Sequence, residues 1–489
     1  MSIEQATRLQ TLKRGEARST VYIKSVSISG IRCFRHGPQV LDLTGQDGSW
    51  ARWTLILGEN GTGKSTLLQQ IGRMQLLQRY KAELVPMGLG PEYDTIGPAL
   101  VIRGLKDWKD VVTYGSEVSI HRPDCLEHSG AAFNGDYSGP LPFVGIEAFV
   151  GNKVEKVAHC CSNGMIGAWI NDRDGFPRRI AHSWPKWMVC GYGAWRSFRK
   201  TSLSGVDFDL DPCSHLFSND TDLINPEEWL LRMDYGSQKA PVKVGTALRH
   251  RLDSVKAVLK EILPGVIGVE IVPPAEWTDS TRVLFETWYG KVEMSQLGHG
   301  YKSLLTWLVD FSARMYAAYP ESENPLAEAA VCLVDEIDLH LHPSWQRKLL
   351  RFLSERYPKT QFIATAHSPL IVQAAEEIGA NVVVLRREGD HVVIDNDPIS
   401  VKGWRVDQIL SSELFDDTPL RDAESEKWMA RRVELLQKDK LTAKEKAELK
   451  QLNEKVRELP MASSPEDRNL DRRLKAAVEL LEKAAKRTK

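Results

Sequence analysis

Gly58-Glu59-Asn60-Gly61-Thr62-Gly63-Lys64-Ser65-Thr66 carries the plainest chemistry in the chain. Its spacing, G-x-x-x-x-G-K-S, suits a polyphosphate. The glycines let the backbone curl so that successive N–H groups point inward at an anion. A helix N-terminus behind the loop adds a partial positive charge. Lys64 can reach the terminal phosphates, and Ser65 can hold Mg²⁺. The plain alternative is a glycine-rich turn that caps a helix.

A second constellation lies far downstream. Val331-Cys332-Leu333-Val334-Asp335-Glu336 is an apolar run that ends in two carboxylates. Phosphoryl transfer needs a carboxylate at a strand's C-terminal end to hold Mg²⁺, and Asp335 suits that role. Hydrolysis also needs a group that orients and deprotonates water, and Glu336 is placed for it. The plain alternative is a strand ending in solvated acids. Asp338-Leu339-His340-Leu341-His342-Pro343 follows, and its two histidines are read as packing and hydrogen-bonding residues in preference to metal ligands. Phe362-Ile363-Ala364-Thr365-Ala366-His367 delivers a histidine to a strand end one αβ unit later, where it could contact a γ-phosphate; the plain alternative is a structural histidine. Finally, Leu297-Gly298-His299-Gly300-Tyr301-Lys302-Ser303 is a glycine-containing turn before an apolar helix, a further anion site. One chain does not need two γ-phosphate cradles. Two copies facing each other do, each lending its turn to the other's nucleotide.

Periodicity supplies the elements that must hold these groups. Trp53–Leu57 reads as a buried strand ahead of the phosphate loop, and 67–80 as the helix behind it. Val21–Ile28 and Val40–Leu43 are strand-like. From about 85 to 187, Gly, Pro, Asp and Asn punctuate short strand-like runs (99–103, 117–121 and 167–170), which predicts a β-rich insertion. His159-Cys160-Cys161 reads as ordinary strand residues. Met188–Cys190 is again buried-strand text, closing in the turn Gly191-Tyr192-Gly193-Ala194-Trp195-Arg196. Helices are predicted from Pro226 and over 244–263, the latter with Leu248, Leu252, Val255, Val258 and Leu259 on one face. Strands follow at 266–272 and 283–288, a helix at 303–316, a strand at 329–334, a helix at 343–357, a strand at 361–364 and a hairpin at 382–394. After about 420 the text turns to Lys, Glu, Leu, Ala and Arg. Thr442-Ala443-Lys444-Glu445 is a capping box, and Ser464–Asp467 opens a last helix. That tail is either a surface-packed bundle or an arm for oligomers or partners.

The bulk numbers fit a soluble globular protein. The chain has 489 residues, 42% hydrophobic and 26% charged, with a formal net charge of −1, so no global basic signal points to nucleic acid. No apolar run reaches the roughly 20 residues a membrane span needs. Residues 1–20 form a polar tail without a secretory h-region. The seven cysteines include no C-x-x-C pair and suit a reducing cytoplasm.

Taken together, these residues resemble the head of an ABC-type P-loop ATPase, of the branch that holds RecF, SMC heads, OLD-family proteins and bacterial defence ATPases. Gly58–Ser65 matches Walker A, and Val331–Glu336 matches Walker B with its catalytic glutamate. Asp338 matches the D-loop and His367 the switch histidine. Leu297–Ser303 resembles the signature turn, with Gly298 where a serine would supply a hydroxyl. Arg32 resembles a residue near the nucleotide. A Q-loop glutamine is not evident, and the turn ending in Arg196 most resembles its neighbourhood. The finer similarity is to the ATPases of bacterial anti-phage systems, carried by D-E-I-D-L-H-L-H-P-x-W-Q (335–346), Trp229-Leu230-Leu231 and Val406–Leu410. Within these, the Septu and Septu-like retron type (PtuA) comes first and the PARIS type (AriA) second.

The resemblance implies a discontinuous α/β head (21–84, 188–199 and 281–410) with a β-rich insert at 85–187 and a helical insert at 200–280. A helical tail at 411–489 follows. It implies ATP and Mg²⁺ as ligands, ATPase activity, and a cytoplasmic homodimer or larger oligomer that touches no membrane. It further implies a partner nuclease of HNH or TOPRIM type, with nucleic acid reached through the complex. A repair ATPase acting directly on DNA remains an alternative. So does an OLD-like ATPase–nuclease, for which Asp395-Asn396-Asp397 would have to hold metal.

Overall fold

Trp53–Gly58 carries apolar residues on both of its faces, and a strand so patterned must be covered on both. In the computed structural model it lies at the heart of a six-stranded sheet. The structure describes residues 21–35, 37–79, 143–150, 153–160, 188–197, 212–218, 221–274, 280–416, 418–438 and 441–458. They divide into two compact units, with the boundary after Ile409. The strand-like runs at 99–103, 117–121 and 167–170, the tail at 1–20 and the helix expected from Ser464 lie outside the described residues.

In chain order the strands are β1 (Val21–Ser29), β2 (Gln39–Asp42), β3 (Trp53–Gly58), β4 (Phe143–Val150), β5 (Lys153–Cys160) and β6 (Val189–Tyr192). Then come β7 (Val266–Val272), β8 (Arg282–Thr287), β9 (Gly290–Glu293), β10 (Ala330–Val334), β11 (Thr360–Thr365), β12 (Asn381–Glu388) and β13 (His391–Asp395). The principal helices are α1 (Lys64–Arg79), α2 (Pro226–Lys239), α3 (Val242–Ile262), α4 (His299–Ala318), α5 (Pro343–Arg356), α6 (Pro369–Glu377), α7 (Ala423–Leu436) and α8 (Ala443–Glu458).

The central sheet has the order β13-β12-β3-β11-β10-β6, and all but β13 run parallel. Because β11 separates β3 from β10, the phosphate-loop strand and the carboxylate strand end on the same side, one strand apart. That is where a parallel sheet places its ligands. On one face Ile56, Val331, Leu333, Ile363 and Val383 meet Leu67, Leu68 and Ile71 of α1. Ile23, Val26 and Ile28 of β1 join the same core. On the opposite face Trp53 stacks on Phe362 at 4.3 Å between ring centroids, and Phe311 of α4 lies 4.9 Å from Tyr357.

A second, antiparallel sheet has the order β2-β1-β4-β5. Two strands from the 85–187 stretch therefore extend the sheet begun by β1 and β2. His159 and Cys160 fall on β5, as strand residues. Gln361 joins the two sheets. At the irregular register of β1, its Oε1 accepts from the Ile23 N–H at 2.7 Å, and its Nε2 donates to the Ile23 carbonyl at 2.8 Å. A buried amide with both ends used is a tie that costs little to bury.

The third sheet, β7-β8-β9, leads into α4, and α2 packs on both α3 and α4. In the second unit, α7 and α8 form a hairpin. The expected capping box is present: Thr442 N–H donates to Glu445 Oε2 at 2.8 Å, and Glu445 N–H to Thr442 Oγ1 at 3.3 Å. Among the described residues, no helix is long and apolar enough to cross a membrane.

Candidate functional site

The phosphate loop is built by backbone geometry. Gly58, Gly61 and Gly63 have φ of +143°, +86° and +88°, which side chains rarely tolerate. Space matters as well: a Cβ on Gly63 would lie 2.5 Å from Cys33 Sγ, and one on Gly58 would lie 2.6 Å from the Leu385 carbonyl oxygen. The helix begins earlier than expected, at Lys64, so the lysine sits in its first turn. Lys64 is 6% exposed, and its Nζ donates to the carbonyls of Gly58 and Glu59 at 2.7 and 2.8 Å. Burial pushes its ammonium below the usual lysine range, while Asp335, Glu336, Asp338 and Glu59 pull the other way. Thr62 Oγ1 donates to the Glu59 carbonyl at 2.9 Å. Glu59, Asn60, Gly61 and Ser65 are exposed, which leaves the Ser65 hydroxyl open to a ligand. Arg32 joins this group: it has φ of +50°, and its Nη1 donates to Thr66 Oγ1 at 2.9 Å.

The carboxylate pair is built by side chains instead. Register pairs Val334 with Ala364, which brings Asp335 beside Thr365. The Thr365 hydroxyl donates to Asp335 Oδ1 at 2.6 Å and accepts the Glu336 N–H at 2.7 Å. Asp335 is 7% exposed. Glu336 stands at φ +47°, a conformation a glutamate adopts only when its surroundings impose it. Arg196 Nη2 donates to the carbonyls of both Asp335 and Glu336, at 2.5 and 3.1 Å.

Asp338 and His367 are joined: Asp338 Oδ2 accepts the His367 N–H at 2.9 Å, and the His367 side chain is exposed. Gln346 strengthens this joint, accepting from Ser368 Oγ at 2.6 Å and donating to the carbonyls of Asp338 and Leu341. His342 caps α5, its Nδ1 accepting the Ser344 N–H, as the packing reading expected. Asn396 is committed to β2, bonding Asp42 N–H and the Val40 carbonyl, and Asp395 pairs with Arg386 at 3.1 Å. The Asp395–Asp397 stretch is thereby used in structure.

The glycine turn differs from expectation in one respect. The helix starts within it, at His299, with Gly298 as N-cap, so its leading N–H groups belong to a helix end. Leu297 is buried, Tyr301 donates to the Pro264 carbonyl at 2.8 Å, and Lys302 Nζ to the Ser295 carbonyl at 2.5 Å. Gly300 backs directly onto the His340 carbonyl. Among the described residues, no hydrogen bond links this turn to Gly58–Thr66 of the same chain.

Sequence reasoning missed Thr365 and the roles of Gln346 and Arg196. Thr365 had a signal, being the polar residue that ends the apolar run Phe362-Ile363-Ala364, two before the histidine. Arg196 had only its place at the end of a glycine turn.

The family described as "AAA domain, putative AbiEii toxin, Type IV TA system" matches residues 217–373. "Septu protein PtuA" of Bacillus mycoides (strain KBAB4) is 23% identical over 403 residues, 81% of this chain and 45% of that protein. "Retron Ec83 probable ATPase" of Escherichia coli is 43% identical over 122 residues, 24% of this chain and 21% of that protein. The chain spans less than half the length of the curated relatives it matches. Among solved structures, an SMC head bound to the C-winged helix domain of ScpA aligns with a TM-score of 0.38 at 15% identity, over 76% of this chain and 96% of that one. The chain is similar to PtuA over most of its length and to the retron ATPase over a shorter stretch.

Proposed function

We propose that this chain binds ATP with Mg²⁺, hydrolyses it in sites shared by two copies, and thereby sets the state of a separate effector, an HNH- or TOPRIM-type nuclease, in a bacterial anti-phage complex. The observation that carries the hydrolytic reading is Glu336. It is held in a left-handed conformation beside buried Asp335, one strand from the phosphate loop. Glu336 takes a proton from the attacking water, Lys64 and the loop N–H groups hold the β- and γ-phosphates, and His367 contacts the γ-phosphate. Ser65, exposed, and Asp335, whose Oδ1 is fixed by Thr365, are oxygen donors suited to Mg²⁺. Bound there, the ion would neutralise charge that develops on the phosphates. The Gly298–Ser303 turn, whose leading N–H groups open a helix, serves the partner's nucleotide. The defence role rests on the similarity to PtuA and the retron ATPase.

Glu336→Gln tests the reading. ATP binding is expected to stay near wild type, hydrolysis to fall about 10²–10⁴-fold, and an ATP-dependent dimer to accumulate. Hydrolysis at the wild-type rate would remove Glu336 from the mechanism. The defence role is tested by phage plating of cells that carry the chain's native operon: Lys64→Ala should abolish protection. Protection that survives it would exclude ATP from the response.

A further inference from the structure

We infer that Arg196 is a positioning residue for hydrolysis, one that locks Glu336 and couples it to the glycine turn offered to the second copy. The inference rests on the ATPase reading above and adds a part that neither the sequence motifs nor the comparisons assign.

Glu336 needs holding. A non-glycine residue at φ +47° relaxes unless its peptide groups are tied. Thr365 ties its N–H, and Arg196 ties its carbonyl together with that of Asp335. The other arm of the same guanidinium points elsewhere: Nη1 donates to Ser303 Oγ at 3.4 Å, in the first turns of α4. The guanidinium also lies 5.9 Å from the centre of the Trp307 ring. Residues 303, 307 and 310 share one face of that helix. Tyr192, four residues before Arg196, uses the same face. Its hydroxyl donates to Asp310 Oδ2 at 2.9 Å, its ring lies 5.6 Å from Trp307, and its carbonyl accepts the Asp335 N–H at 2.8 Å. The end of β6 thus grips the carboxylate strand on one side and the glycine-turn helix on the other. A displacement at Glu336 is passed to the turn, and a displacement of the turn returns to Glu336. Arginine suits this place because a planar fork addresses two carbonyls and a hydroxyl at once, which an ammonium cannot do.

The test is steady-state and binding kinetics on full-length Arg196→Lys. Its kcat should fall about 10²-fold, because a small misplacement of a catalytic group costs that much, while ATP affinity and melting temperature stay near wild type. Since Arg196 acts through Glu336, Arg196→Lys combined with Glu336→Gln should be no slower than Glu336→Gln alone. Ser303→Ala leaves the carbonyl ties intact and should lower kcat several-fold in a fully folded protein. It also carries the test if Arg196→Lys does not fold. A folded Arg196→Lys with wild-type kcat, a loss confined to ATP affinity, or additive losses in the double variant would each overturn the inference. So would wild-type kcat in Ser303→Ala. Should Glu336→Gln itself hydrolyse ATP like wild type, the ATPase reading fails first. Should Glu336→Gln be impaired and Arg196→Lys not, the positioning role alone fails.

Discussion

The two halves of the site are made by different means. The phosphate loop is held almost wholly by its own backbone: three glycines at positive φ, and a lysine that bonds carbonyls of the same loop. The carboxylate half is held by side chains brought from remote stretches, with Thr365 on one flank of Glu336 and Arg196 on the other. This second half cannot be placed unless the whole sheet is formed. Loss of the side-chain ties made by Thr365 and Arg196 should therefore lower turnover more than binding.

Substitutions should separate the two halves, most strongly at Lys64. Lys64→Ala removes the one cation of the loop, and ATP binding and hydrolysis should both fall by about 10²–10³-fold or more, measured by titration and phosphate release. Thr365→Val should spare ATP binding but lower hydrolysis by about 10–10²-fold, because Asp335 and the Glu336 N–H lose their shared partner. Equal losses of binding and turnover in that variant would erase the distinction between the halves. Gly63→Ala sharpens the first half: with φ +88° and Cys33 in the way, it should cost about 3 kcal/mol of stability in urea unfolding.

The smallest effect is a pH dependence in the second half. His215 is 4% exposed, and its Nδ1 accepts the Gly193 N–H at 3.1 Å, which fixes the neutral ring. Burial pulls its pKa down to about 4, and the nearby Arg196 adds to this, against the opposing pull of Asp310 and Asp222. The unfolded chain takes up its proton near pH 6.5 and the folded chain does not. The neutral ring therefore contributes fully above pH 6.5, and its contribution drains away as pH falls toward 4, by about 2 kcal/mol at pH 5. His215→Gln should flatten that part of the stability profile. An unchanged profile would remove His215 as its source.

The same division decides what was legible in the sequence. Gly58–Thr66 could be read whole, because spacing and backbone freedom are local properties. The parallel strands were legible as continuous apolar runs, and the amphipathic helix now seen as Val242–Ile262 was legible by its period. The roles of Thr365, Gln346 and Arg196 were not, since they depend on which elements lie side by side. The order β3-β11-β10-β6 is not written in any one stretch. The glycine turn was half legible. Its composition marked an anion site, but where the helix starts within it depends on Gly298 as N-cap and on the close approach of Gly300 to His340.

Completion of each site by a second copy, as proposed above, can be read by mixing two defective chains. Lys64→Ala spoils the phosphate loop and leaves the glycine turn intact. Gly298→Glu does the reverse: that position has ordinary φ and room for a side chain, so the added carboxylate should repel a phosphate without disturbing the fold. Neither chain alone should hydrolyse ATP. Mixed in equal amounts and allowed to exchange, they should recover roughly a quarter of the wild-type rate, because half of the pairs are mixed and each of those holds one sound site. No recovery on mixing, or full activity of Gly298→Glu alone, would mean that each chain works on its own nucleotide by itself.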